Sequence, residues 1–372
     1  MPTPNTTTER KKYGDVSWGG LLRLTTVLAR MPLAILWIST KSILFRRNSF
    51  KRTTYAALMR WMSQQVPDIG TMQYMIPNSV DGYKTWASSN SLPITVETLS
   101  HDTSIMWIGP KRTDRVVLYF HGGAYYAPIL PAGLSFLHHL QKELNKNGCD
   151  VGVAIIGYSL LPTAVFPTQI RQAMLATEHI LASGVDPANL HLVGDSAGAN
   201  LLTGLLSHML HPLDTVRPMI SPKEAIKGVY LMSPWVSLQS TSSSMVDEAS
   251  EDMATCSGLS RAGGIFMAAV PAEQRAYAEP IYAPDSWFEG LDSIVERMLV
   301  TAGEAELMRD DILQFSDILS KHQSQYTFIL QPGGLHDDPI LDFMAGVPLD
   351  QLTPLTAKAV EWLAAGIKES SH

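Results

Sequence analysis

From about residue 92 onward the chain alternates short, almost continuous apolar runs with longer stretches in which apolar residues recur at every third or fourth position. Runs of the first kind predict buried strands over 115–120 (RVVLYF), 151–158 (VGVAIIGY), 189–193 (NLHLV), 228–232 (GVYLM), 297–301 (RMLVT) and 326–330 (YTFIL). Stretches of the second kind predict helices over 169–182, 197–209, 311–321 and 353–367. Regular alternation of apolar strand and amphipathic helix predicts an α/β fold with a mainly parallel central sheet flanked by helices. One stretch breaks the rhythm. Residues 236–290, rich in Ser, Ala, Met and acidic side chains, are too long for a simple crossover and read as a cap insertion.

Before residue 92 the pattern is different. Residues 21–45 would reach about 37 Å as one helix, long enough to cross a bilayer, but Arg23, Arg30 and Lys41 interrupt the run. At about 100° per residue the three cations fall on one side of the helix, opposite a Leu/Ile/Trp face. That is the pattern of a helix lying in a membrane interface, with Arg46, Arg47, Lys51 and Arg52 adding attraction to anionic lipid. The competing expectation is that the same face packs on the protein as a helix covering the active site. Pro32 is expected to kink or split the helix. A cleaved secretory signal fits poorly, because the apolar run begins late and no small-x-small site follows it. The expected layout is a basic amphipathic arm over 1–47, cap helices over 48–91, a catalytic body over 92–235 and 291–372, and the cap insertion over 236–290.

Composition narrows the classes. With 372 residues, 45% of them apolar and 17% charged, the chain can bury one large core. Residues 1–60 carry eleven Lys/Arg against Glu9 and Asp15, so that segment is +9 and the rest of the chain −16 within a net charge of −7. A basic arm on an acidic body predicts contact with an anionic surface. Lipid is expected and nucleic acid is not, since the cations are interleaved with apolar residues and match no nucleic-acid motif. The Asn5-Thr6-Thr7 triplet is a formal glycosylation sequon of a kind that arises by chance. Cys149 and Cys256 have neither CxxC nor zinc-ligand spacing and are expected to be free thiols.

The chemistry centres on Gly194-Asp195-Ser196-Ala197-Gly198, a G-x-S-x-G that follows one predicted strand and opens a predicted helix. Small flanking residues allow a sharp strand-to-helix turn that thrusts the Ser196 hydroxyl out at a helix N-terminus. Upstream, His121-Gly122-Gly123-Ala124 offers backbone N–H groups that no side chain shields; Gly122, Gly123 and Ala197 are the expected oxyanion hole. His121 is expected to shape this loop rather than transfer protons. His336 lies in the glycine-rich Gly333-Gly334-Leu335-His336-Asp337-Asp338 that follows the last predicted strand, whereas His322 lies before that strand. Tyr125 and Trp287 are candidate substrate contacts, and Met253, Phe266 and Met267 join Trp287 as candidate linings of an apolar pocket.

HGGAYY, YSLLPTAVFP and GDSAGAN, in that order, resemble the hormone-sensitive-lipase branch of the α/β-hydrolases, which includes bacterial esterases and arylacetamide deacetylase, over roughly residues 92–365. Ala124 stands where many members have a third glycine, and Ala199 where a further glycine often follows GDSAG. The resemblance implies an α/β-hydrolase fold with a helical cap, a Ser-acid-His chain order and hydrolysis of a carboxylic ester through an acyl-enzyme, with no metal or organic cofactor. That order implies that His336, just past the last strand, is the base; anchored on Arg309-Asp310, the resemblance places Glu306 where the family has its aspartate, and Glu304 and Asp310 are the alternatives. The chain also looks like fungal members associated with secondary metabolism. Two other outcomes stay open: a receptor-like binding protein on the same fold, and a lactone or thioester hydrolase or transesterase using the same triad.

Overall fold

A computed structural model describes residues 12–45, 49–66, 68–220, 222, 224–247 and 250–369. Arg46, Arg47 and the sequon at 5–7 lie outside them. Eight strands form one sheet: β1 Thr95–Thr98, β2 Ser104–Ile108, β3 Val116–Phe120, β4 Gly152–Gly157, β5 Leu190–Asp195, β6 Ile226–Met232, β7 Val295–Gly303 and β8 Tyr326–Gln331. Their order is β1-β2-β4-β3-β5-β6-β7-β8. The pairs β1/β2 and β2/β4 are antiparallel and all the others parallel. The six strands expected from the sequence are β3 to β8. The sequence pattern missed β1 and β2, which form an antiparallel edge. β1 is a short, half-exposed TVET segment without an apolar run.

Register explains why the chemistry gathers at one edge of the sheet. Phe120 pairs with Gly194, Asp195 with Met232, Met232 with Thr301 and Gly303 with Gln331. The C-terminal ends of β3, β5, β6, β7 and β8 are therefore level, and the segments that leave them, beginning at residues 121, 196, 233, 304 and 332, meet above the sheet. Ligand sites of open α/β sheets form at this edge.

The helices, in chain order, are α1 Trp18–Phe45, α2 Phe50–Gln65, α3 Ile69–Tyr74, α4 Ser79–Ser89, α5 Pro131–Lys146, α6 Thr168–Ala182, α7 Ser196–Leu210, α8 Cys256–Met267, α9 Arg275–Ala278, α10 Leu291–Ile294, α11 Arg309–Ser320, α12 Asp338–Met344 and α13 Pro354–Glu369. They cover both faces of the sheet, and the buried residues divide into two large apolar clusters. One holds Leu118, Leu192 and Val229 with Ile170 and Leu202; the other holds Val117, Val193 and Tyr230 with Leu137 and Leu363. Alternate residues of the same strands enter opposite clusters, as the two-residue period of a strand requires.

Three features depart from expectation. α1 runs unbroken through Pro32. α4 belongs to the body rather than to the cap: Tyr83 is fully buried and its hydroxyl donates to the Trp107 carbonyl at 2.7 Å, while the Trp86 indole donates to Ser135 at 3.0 Å. The third is α5, which the sequence pattern did not single out although Leu134, Leu137, Leu140 and Leu144 repeat at helical spacing.

α1 buries Leu24, Val27 and Ile38 on a side that packs against α2 and α3, and leaves Trp18, Leu22, Leu33, Leu36, Trp37, Ile43 and Leu44 exposed. α2 is in turn pinned to the body. Arg52 forms ion pairs with Asp338 and with Asp342 of α12, the latter at 2.9 Å, and all three side chains are nearly excluded from water. Cys149 and Cys256 are free thiols.

Candidate active site

β5 ends at Asp195 and α7 begins at Ser196, whose φ of 49° places a residue with a side chain in the left-handed region. Such a turn is costly unless its surroundings enforce it. Here the flanking glycines let them: a Cβ on Gly198 would sit 1.9 Å from the Phe120 carbonyl oxygen, and one on Gly194 would meet the backbone of Gly198 and Ala199 at 2.8 Å. The G-x-S-x-G spacing is thus a packing requirement of the turn. Ser196 Oγ lies 2.9 Å from His336 Nε2, bringing together side chains 140 positions apart.

His336 comes from the segment after β8, and its Nδ1 faces Glu306 Oε2 at 3.5 Å. Glu306 is 2% exposed and its Oε2 accepts a 2.7 Å hydrogen bond from Ser233. The other two acid candidates are elsewhere. Glu304 is exposed and accepts from the Gly333 N–H at 2.9 Å, and Asp310 is occupied by Arg309 and the Ser244 N–H. At 3.5 Å the His336–Glu306 contact is a few tenths of an ångström longer than a hydrogen bond, and among the described residues neither His336 Nδ1 nor Glu306 Oε1 has a hydrogen-bond partner. Burial raises the Glu306 carboxyl and the neighbouring imidazole lowers it.

The sequence did not single out Asp337. Its φ is 51°, and its Oδ2 lies 3.3 Å from His336 Nε2, while its Oδ1 has no hydrogen-bond partner among the described residues. Burial alone would push the His336 imidazole down, but Asp337, Glu306 and Asp252 outweigh it and lift the ring to about 10. Burial, together with repulsion from Asp195, Glu306 and Asp252, carries Asp337 well above the usual carboxylate range. Asp337 raises the imidazole, and the imidazolium in turn lowers Asp337. A proton resting on Asp337 removes the charge that lifts His336 and leaves neutral imidazole able to act as a base.

The His121–Ala124 loop arches over the same point, and here one expectation is corrected. The Gly122 N–H donates to Asp195 Oδ1 at 2.8 Å, and the Tyr119 hydroxyl donates to the same oxygen at 2.5 Å. Gly122 is therefore not a free donor; it is a glycine because a Cβ there would lie 2.2 Å from Asp195 Oδ2. The N–H groups of Gly123, Ala124 and Ala197 have no acceptor among the described residues. Gly123 has φ 106° and Ala124 φ 49°, so the loop turns through left-handed backbone as it passes the serine. His121 shapes this loop. Its Nδ1 pairs with the Gly122 carbonyl at 2.8 Å, its ring stacks on Tyr158 at 4.4 Å, and burial pulls its pKa down to about 4. The lowered pKa leaves the ring neutral at pH 7, and its Nε2 faces Ser79 Oγ at 3.5 Å.

Above Ser196 lies a cavity of about 210 Å³. α2 and α3 contribute Met59, Met62 and Met72, and the insertion contributes Met253 and Leu259; Asp195, His336 and Asp337 close its polar end. Met253 falls where the sequence placed it, but Tyr125, Phe266, Met267 and Trp287 do not line this cavity. Tyr125 is buried, stacked on Phe266 at 4.3 Å, with its hydroxyl donating to Asn200 at 2.6 Å. Trp287 packs on His211 and Tyr277 and donates its indole N–H to Ser207 at 3.0 Å. Both are large aromatics whose polar atom finds a partner inside the core, which a single sequence cannot tell from a pocket wall. No group of three or more His, Cys, Asp or Glu among the described residues is arranged to hold a metal ion.

Comparison with known proteins places this geometry. The chain is 28% identical over 247 residues to an acetyl-hydrolase of Streptomyces hygroscopicus, covering 66% of this chain and 75% of that protein. It is 32% identical over 116 residues to arylacetamide deacetylase-like 3 of Mus musculus, covering 29% of this chain and 27% of that one. The crystal structure of an esterase from the bacterial hormone-sensitive lipase family superposes with a TM-score of 0.61 at 20% identity, over 87% of this chain and 99% of the other, which shows the shared fold. A model of the alpha/beta hydrolase fold family matches residues 117–338, more than half of the chain and the whole stretch from the third strand to the candidate base, and the protein belongs to that family.

Proposed function

We propose that this protein is a serine hydrolase of carboxylic esters with Ser196 as nucleophile, His336 as general base and Glu306 as the acid that orients it. The observation that carries the reading is the 2.9 Å contact between Ser196 Oγ and His336 Nε2, with three backbone N–H groups of the neighbouring segments lacking an acceptor among the described residues. In the first step His336 Nε2 takes the proton of Ser196 as its oxygen attacks the ester carbonyl. The N–H groups of Gly123, Ala124 and Ala197 face the developing oxyanion, and Glu306 stabilises the imidazolium through Nδ1. Collapse passes the proton from Nε2 to the leaving alcohol and leaves an acyl-enzyme. Water, deprotonated by His336, then releases the acid.

The thioether-rich cavity supports an apolar ester as substrate, since Met59, Met62, Met72, Met253 and Met344 are flexible apolar groups that adapt to varied shapes. A secondary-metabolite ester is the finer assignment drawn from the fungal resemblance. The test is turnover of short and medium p-nitrophenyl esters, with fluorophosphonate labelling, by the wild type beside Ser196→Ala. Turnover and labelling confined to the wild type support the reading. A folded wild type that neither turns over nor labels overturns it in favour of a receptor-like binding protein, and a preference for thioesters or lactones over matched esters redirects it within the same chemistry.

α1 supports a second reading, attachment to an anionic membrane surface. It is long and apolar enough to span a bilayer, but one side of it packs on α2 and α3 and Arg23, Arg30 and Lys41 are exposed along its flank. Those features favour a helix lying in the interface over one that crosses it. α2 and α3, which α1 packs against, also line the cavity, so an apolar ester dissolved in that surface would reach the site by a short path.

A further inference from the structure

The segment after β7 and the segment after β8 each send one backbone N–H to the same side chain. Leu307, next to Glu306, donates to Asp252 Oδ2 at 2.8 Å, and His336 donates its own N–H to Asp252 Oδ1 at 3.2 Å. Asp252 belongs to neither segment. It lies in the long insertion between β6 and α10, 55 positions from Leu307 and 84 from His336, and is fully buried. A carboxylate so placed accepts where a neutral side chain of similar size would offer at least one donor against an N–H.

We infer that Asp252 is a positioning residue for the reaction, which sets the spacing of acid and base from the cap. The inference rests on the serine-esterase reading above. The His336–Glu306 contact, at 3.5 Å, lies just outside hydrogen-bond length, so a backbone shift of a few tenths of an ångström at Leu307 or His336 makes or breaks it. Asp252 fixes both backbones at once. The segment around Asp252 is itself held from the N-terminal side of the cap: the Arg60 guanidinium of α2 donates to the Asp252 carbonyl at 2.6 Å, and Ser63 and Thr255 share a hydrogen bond of 3.1 Å. Met253, Ala254 and Thr255 line the cavity, as do Met59, Met62 and Ser63 of α2. A substrate that fills the cavity therefore bears on the two segments that hold Asp252, and through it on the alignment of the dyad. The cap so contributes to kcat as well as to affinity.

The test compares Asp252→Asn and Arg60→Gln with the wild-type chain. kcat per active site, counted by fluorophosphonate titration, and KM are measured on one p-nitrophenyl ester, and the downfield proton resonance of the His336 imidazole is followed by NMR. Asp252→Asn is expected to lose about 100-fold in kcat, the cost of a misplacement near 1 Å, with KM within about threefold, and to shift or lose the resonance; Arg60→Gln moves the same way by less. Wild-type kcat per site with an unmoved resonance overturns the inference, as does a loss of activity wholly accounted for by fewer titratable sites. If Asp252→Asn does not fold, Arg60→Gln decides: a fall in kcat at steady KM, or a shifted resonance, supports the inference and wild-type values overturn it. A wild type that shows the resonance, altered by Asp252→Asn, but hydrolyses no ester overturns the esterase reading and leaves Asp252 as the residue that aligns the dyad.

Discussion

Replacing Glu306 with Gln removes one negative charge and almost no volume, so it isolates what the acid does. In the wild type the carboxylate stands 3.5 Å from His336 Nδ1, with both side chains nearly excluded from water. At an effective dielectric of about 20, a unit charge at that distance is worth about 5 kcal/mol to the imidazolium, an upper figure because the carboxylate gives up hydration to be there. Each factor of ten in rate is about 1.4 kcal/mol, so a loss of roughly 1,000-fold in kcat/KM follows. Chemistry points the same way. The amide that Glu306→Gln introduces can turn its NH2 toward Nδ1, which selects the tautomer that carries hydrogen on Nε2 and leaves Ser196 without a base. Glu304→Gln is the control, since that carboxylate is exposed and bonds the Gly333 N–H; its kcat/KM is expected to stay within about threefold of the wild type. The assay is p-nitrophenyl butyrate hydrolysis at pH 8 with active sites titrated. Glu306→Gln within tenfold of the wild type, with a large loss in another carboxylate variant, would refute the assignment of Glu306.

Because the cluster's proton rests on Asp337 at neutral pH, Asp337→Asn removes no charge there, and the acidic limb of kcat/KM is expected to stay within about half a unit of the wild type, each unit being about 1.4 kcal/mol. A limb that moves to lower pH by about one unit or more would show that Asp337 is ionised beside the imidazole and lifts it. Arg52→Met leaves Asp338 and Asp342 buried without their cation, and denaturant unfolding is expected to show a loss of about 3–5 kcal/mol; adding Asp338→Asn and Asp342→Asn should recover much of it, and a single variant as stable as the wild type would show that the pair does not hold α2 down. Leu36→Glu with Trp37→Glu alters only exposed positions of α1, and sedimentation with phosphatidylserine vesicles is expected to fall at least tenfold while turnover of a soluble ester is unchanged; equal sedimentation would remove α1 as the contact surface.

What the sequence made legible was set by how local each signal is. Strands β3 to β7 were visible because both faces of each are largely covered, so their apolar runs need no knowledge of the partner strand, and β8, half-exposed at the sheet edge, was visible from its run of Phe328, Ile329 and Leu330 alone. Ser196 and His336 were visible for a related reason: each follows a strand end within a short glycine-containing segment, and the backbone demands of those turns are written in neighbouring residues. The roles of Gly122 and Asp195 were not. The contact between them spans 73 positions, and only the Phe120–Gly194 register brings the two together. Tyr125 shows the opposite error. An aromatic after the glycines looks like a pocket wall, yet it turns inward because Asn200 offers its hydroxyl a buried acceptor and Phe266 offers a stacking face.

The charge pattern around the serine has the same origin and bears on how the site works. Asp195, Glu306 and Asp337 are all buried and all raised above their ordinary values by burial, so the site cannot hold them all as anions without cost. Hydrogen bonds divide them. Asp195 accepts from Tyr119 and Gly122, and Glu306 accepts from Ser233 and faces the imidazole, whereas among the described residues the Asp337 carboxylate has His336 Nε2, at 3.3 Å, as its one polar neighbour. The proton that the cluster must carry at neutral pH therefore settles on Asp337, where the fewest donors support an anion. That leaves Glu306 charged opposite Nδ1 and frees Nε2 for Ser196. If Asp337 were ionised instead, it would bind Nε2–H and hold the base in its spent, protonated form, which is why its neighbour's pH profile is the sensitive measure of where the proton lies.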